Sequence, residues 1–177
     1  MSNNEVAAEL PDWSRERLTH FWAPGRRLLR SIRGYQRWVA ARNGFIGRAW
    51  WVCEYRFWST VTGADIPLTT RLGGGLLLPH PNGIVIHPDA IVGPNCLIFQ
   101  QVTLGAGGPK PGVPKLGGHV DVGAGAKILG GVTIGDHARI GANAVVLDDV
   151  PSGATAVGIP ARVVKPQRKS DRTTEAE

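Results

Sequence analysis

The chain has 177 residues, of which 42% are hydrophobic, with two cysteines and a formal charge of +6. That describes one domain, or one domain plus an extension, apolar enough for a core and too poor in cysteine for a disulfide framework, so a reducing cytoplasm is the expected setting. No apolar run is long enough to span a bilayer, and the opening Met-Ser-Asn-Asn-Glu lacks the basic and apolar regions of a signal peptide.

Residues 1–64 hold all six tryptophans, ten arginines and five acidic residues. Their pattern predicts two or three short helices, broken near Pro24-Gly25 and Asn43-Gly44. We read the segment as a cap on the open end of the repeats that follow, whose terminal coil would otherwise expose backbone groups and apolar core. Arginine and tryptophan also suit a membrane surface, but that reading ranks behind capping because arginine stems pack well over apolar residues.

From residue 65 to 164 the period changes. A branched apolar residue returns every six positions at Leu116, Val122, Ile128, Ile134, Ile140 and Val146, and small residues follow four places later at Val120, Ala126, Val132, Ala138, Ala144 and Val150. Six is neither a helix period nor strand alternation; it marks a solenoid in which each hexad forms one face. The frame begins earlier, at Ile66, Leu72 and Leu78, then runs through Ile86, Val92, Ile98 and Leu104. Two irregularities interrupt it. Two residues are inserted around Pro79-His80-Pro81-Asn82-Gly83, and a glycine- and proline-rich stretch at 105–115 is expected to be thrown out as a loop. Insertions of this kind gather on one face and build binding sites.

His80 therefore stands out as a candidate general base. Asp65, about one coil earlier, is its candidate partner, since a carboxylate behind an imidazole fixes its orientation and stabilises the imidazolium. Lys110 and Lys115 in the loop are candidates for binding phosphate. His87, His119 and His137 read as solvated surface residues. No metal site is expected, because the histidines lack the paired spacing of the zinc-binding hexapeptide carbonic anhydrases, and catalytic zinc needs three protein ligands. The repeats are nearly neutral, with five basic and six acidic residues over 65–159 and only Phe99 among the aromatics beyond residue 58, which argues against nucleic acid. Residues 165–177 are polar, without period, and read as a disordered tail.

Thr62-Gly-Ala-Asp-Ile66, Leu78-Pro-His-Pro-Asn-Gly-Ile-Val-Ile86, Ile98-Phe-Gln-Gln-Val-Thr-Leu-Gly105, Pro114-Lys-Leu-Gly117, Val122-Gly-Ala-Gly-Ala-Lys-Ile-Leu-Gly130 and Val157-Gly-Ile-Pro-Ala-Arg-Val163 resemble the serine O-acetyltransferases. The resemblance implies a mainly β fold: a left-handed parallel β-helix of hexapeptide repeats behind a short N-terminal helical segment. It implies a homotrimer, acetyl-CoA as co-substrate in a cleft between subunits, no permanently bound cofactor, and transfer of the acetyl group to a small hydroxyl acceptor. His80 and Asp65 match the catalytic pair. Gly105, Lys110, Lys115, Lys127, Arg162 and Lys165 are the candidates for the coenzyme, with Lys127 and Arg162 inside family-like segments. Three positions depart: Pro79 replaces the aspartate before the histidine, and Gly112-Val113 replace an Arg-His pair that helps to hold the amino acid. Short relatives with Leu-Pro-His-Pro resemble acetyltransferases of polysaccharide gene clusters, so a saccharide hydroxyl stands as the alternative acceptor and a non-catalytic scaffold as the rival function. The C-terminal glutamate, where cysteine-pathway enzymes carry an isoleucine, argues against docking to cysteine synthase.

Overall fold

The computed structural model describes residues 6–42 and 45–164. A short arm with one 3-10 turn (Trp13–Glu16) leads into helices α1 (Pro24–Ala40) and α2 (Phe45–Thr62), which pack on each other. Proline at the first position of α1 is placed where its missing N–H costs nothing.

The remainder is a three-sided prism of parallel strands, most only two residues long. The first sheet stacks Val85–Ile86, Thr103–Gly105, Lys127–Leu129 and Val145–Val146, preceded by a bridge from Asp65 to Val85. The second stacks Arg71–Leu72, Ile91–Val92, Lys115–Leu116 and Thr133–Ile134. The third stacks Leu97–Ile98, Asp121–Val122, Arg139–Ile140 and Thr155–Gly158. Its last member departs from the pattern, because Ala161–Val164 turns back and pairs antiparallel with Thr155–Gly158.

The hexad explains this shape. One residue of each strand points inward, so Ile66, Ile86, Leu104, Ile128 and Val146 stack on one side of the core, each 2% exposed or less. The small position turns into the corner, where Ala90, Cys96, Val102, Val120, Ala126, Val132, Ala138 and Ala144 are completely buried. Full burial of each large aliphatic side chain is worth roughly 1.5–3 kcal/mol, and here it is repeated at every rung. At the N-terminal end, Leu28, Leu29 and Ile32 of α1 and Trp58 of α2 join the same core as Ile66, Leu72 and Leu78.

Two of the three corners need a left-handed residue. Between the third and first sheets these are Gly63, Gly83, Gln101, Gly125 and Asn143; between the second and third they are Gly75, Asn95, His119, His137 and Gly153. Backbone hydrogen bonds run up each corner, as in Gln101 N–H to Asn82 O at 2.9 Å and His137 N–H to Gly118 O at 2.9 Å. His119 and His137 thus occupy equivalent places in successive coils. They lie at the surface, His137 exposed and His119 partly so, and their Nδ1 atoms are 2.9 Å apart.

The 105–115 stretch also differs from the expected free loop. It folds back against the next coil, where Lys110 O accepts from Gly131 N–H at 3.0 Å and the Lys110 ammonium meets Asp149 at 2.9 Å.

Candidate active site

Both irregularities border the first sheet. The 79–83 insertion enters at one edge, just before Val85, and the loop after Thr103–Gly105 leaves at the other. Between them the outward positions run Asp65, Val85, Thr103, Lys127 and Val145 in register.

His80 is exposed in the turn between Pro79 and Pro81, and among the described residues its ring makes no hydrogen bond. Two residues on, Asn82 latches the turn to the next coil: its side-chain oxygen accepts from Gln101 Nε2 at 3.1 Å. Lys127 Nζ then donates to Gln101 O at 2.5 Å and to Thr103 Oγ1 at 3.1 Å. The histidine turn, Gln101 and Lys127 therefore share one edge of one sheet.

Asp65 lies on the same sheet, its backbone N–H bonded to Ile84 O at 2.8 Å and its C=O accepting from Ile86 N–H at 2.9 Å. Its side chain is exposed and faces the second helix, where burial and then the Asp65 charge push the Tyr55 phenol above its ordinary pKa. Among the described residues, Asp65 and His80 form neither a hydrogen bond nor an ion pair with each other. The carboxylate sits on the strand beside Val85, whereas the imidazole sits in the corner that precedes it.

The coenzyme candidates are not gathered in one place. Gly105 ends the strand of the first sheet beside Lys127. Lys110 and Arg162 both reach the 148–149 corner, Lys110 to Asp149 at 2.9 Å and Arg162 to Asp148 at 3.9 Å. Lys115 is exposed on the second sheet, and Lys165 lies outside the described residues. Among the described residues no group of three His, Cys, Asp or Glu side chains can hold a metal ion.

The bacterial transferase hexapeptide family (six repeats) matches residues 114–148. Serine acetyltransferase of Synechococcus elongatus is 53% identical over 106 residues, covering 59% of this chain and 43% of that protein. Soybean serine acetyltransferase complexed with serine superposes with a TM-score of 0.68 at 37% identity, covering 81% of this chain and 58% of the soybean chain. Over the matched regions the chain is similar to the serine acetyltransferase family of hexapeptide transferases. It shares the family's left-handed parallel β-helix. Serine acetyltransferase from Brucella abortus in complex with coenzyme A matches at 34% identity with a TM-score of 0.69, over 81% of this chain and 56% of that one. The chain spans less than half the length of the curated serine acetyltransferases it matches.

The residue beside the site that the hexad pattern did not single out is Gln101, which ties the histidine turn to Lys127. Its signal was present: it falls three places after Ile98, where neighbouring hexads carry Gly or Asn. The thiols divide sharply. Burial pushes Cys96 up to about 11, whereas Cys53 is exposed on α2. A chromogenic disulfide reagent at neutral pH is expected to label one thiol per native chain and none in Cys53→Ser; rapid labelling of two would show that Cys96 is accessible. A buried, protonated thiol cannot act as an acyl carrier.

Proposed function

We propose that this chain transfers the acetyl group of acetyl-CoA to a hydroxyl, with serine as the first acceptor and no covalent acyl-enzyme. The observation that carries the reading is the placement of His80 at the edge of the one sheet bordered by both insertions, in a chain homologous to serine acetyltransferases. His80 takes the proton from the acceptor hydroxyl as that oxygen attacks the thioester carbonyl. Backbone N–H groups of the glycine-rich segment 105–108 stabilise the oxyanion. The intermediate collapses with loss of the CoA thiolate, which receives the proton back from the imidazolium. Asp65 supports that cation through its field along the sheet edge, and Lys127 is the cation best placed for the coenzyme.

A single prism is a flat-sided body, so the cleft needs a neighbouring subunit, and a homotrimer supplies one. In this reading residues 65–164 are the acyltransferase domain, 1–64 its cap and 165–177 a tail, acting in the cytoplasm. A saccharide hydroxyl is the second acceptor. It is favoured by Pro79, Gly112 and Val113, which leave no charged group where an amino acid would need one. Release of CoA thiol from acetyl-CoA with serine and with a panel of sugars tests both: serine-dependent release supports the first, sugar-dependent release the second. No release with any acceptor, together with no CoA binding, overturns acetyl transfer in favour of a scaffold.

A further inference from the structure

The corner between the second and third sheets carries a feature that acetyl transfer does not use. Its backbone requires only a residue that tolerates the left-handed region, a role filled there by Gly75, Asn95 and Gly153. At two consecutive rungs the chain places histidine instead, with φ of 53° at His119 and 59° at His137. Stacked coils lie about 4.8 Å apart, so side chains leaving equivalent backbone positions are brought into contact. The rings meet edge to face, with centroids 5.1 Å apart and planes at 74°, and their Nδ1 atoms lie 2.9 Å apart. They line an open depression of about 380 Å³ with Val6, Ala7, Asp121 and Arg139.

We propose that His119 and His137 chelate a divalent late transition metal through their two Nδ1 atoms, with Cu(II) and Ni(II) preferred to Zn(II). Imidazole suits all three ions, and geometry separates them. With metal–nitrogen bonds of about 2.05 Å, the 2.9 Å separation subtends an angle of about 90° at the metal. That is the angle between adjacent ligands in a tetragonal or octahedral field; a tetrahedral ion needs the nitrogens about 3.3 Å apart. Both Nδ1 atoms must be free of hydrogen to ligate, so any proton held between them is released to solvent when the ion binds. Water fills the other coordination positions in the open depression. Asp121, two residues beyond His119 and held loosely by Arg139 at 4.0 Å, places a carboxylate on the same wall. The ion bridges two coils beside the N-terminal arm and lies at a different corner from His80.

The test uses the full-length protein, stripped with a chelator and titrated separately with Cu(II), Ni(II) and Zn(II) by calorimetry. His119→Asn and His137→Asn are the variants of choice, because Asn95 and Asn143 already hold this backbone conformation in neighbouring turns. Loss even of an outer-shell partner costs ~10–100-fold in metal affinity, so each variant is expected to bind Cu(II) at least ~10-fold more weakly than the parent. The Cu(II) electron paramagnetic resonance spectrum is expected to be tetragonal with hyperfine splitting from two nitrogens, lost in the double variant. Unchanged Cu(II) affinity in the double variant overturns the site. Zn(II) binding tighter than Ni(II) overturns the geometric assignment.

Discussion

Replacing His80 with alanine is expected to lower the turnover of acetyl transfer by ~10²–10⁴, the range that a positioned general base contributes. The fold is expected to survive, because the ring is exposed and makes no hydrogen bond among the described residues, while the turn is held by Pro79, Pro81 and the Asn82–Gln101 latch. The loss should therefore fall on kcat, with the KM for acetyl-CoA and the unfolding temperature close to those of the parent. Thiol release measured against acetyl-CoA concentration separates these quantities. Release at the parental rate in His80→Ala refutes the assigned base and leaves the homology without its mechanism. Asp65→Asn is expected to cost less than His80→Ala, since the carboxylate acts on the imidazolium without a hydrogen bond in the resting chain. An equal loss would mean that the pair closes when substrates bind.

The hexad made the core legible residue by residue, because a strand of two residues leaves one side chain inward and a corner admits only a small one. Ile66, Ile86, Leu104 and Ile128 fall on one side for that reason, and Ala126, Ala138 and Ala144 fill corners. The same counting put Asp65 about one coil before His80, and in the structure Asp65 bridges to Val85, on the strand that follows the histidine turn. Counting does not report which way a side chain turns, so it could not show that Asp65 and His80 form neither a hydrogen bond nor an ion pair among the described residues. Nor does a period of six distinguish the corners. Only when three hexads close one coil do residues 18 apart become neighbours, and this brings His119 onto His137. The arm before α1 was hidden for a different reason. It has no repeat, and its anchor Asn95 reads as a turn residue, yet Asn95 is fully buried, accepting from Asp12 N–H at 2.8 Å and donating to Ala7 O and Leu10 O at 2.7 Å.

The second large effect is expected at Arg33, where arm, first helix and first coil meet. Its guanidinium donates to Leu72 O at 2.5 Å, to Gly73 O at 2.6 Å and to Glu16 at 3.0 and 3.3 Å; both charged side chains are only 10% exposed. Glu16 in turn accepts from Leu76 N–H at 3.1 Å, so one buried pair satisfies three backbone groups that no strand or helix serves. Arg33→Met removes the cation and leaves a carboxylate and two carbonyls without their partner in a mostly buried contact, at a cost of about 3–5 kcal/mol. For a chain of this size that corresponds to a fall in unfolding temperature on the order of 10 °C, readable by calorimetry. The double variant Arg33→Met/Glu16→Met is expected to regain part of the loss, because it removes the stranded charge as well. A double variant no more stable than Arg33→Met would show that the penalty comes from the orphaned Leu72 and Gly73 carbonyls. An unfolding temperature unchanged in Arg33→Met would show that α1 is held to the prism by Leu28, Leu29 and Ile32 alone.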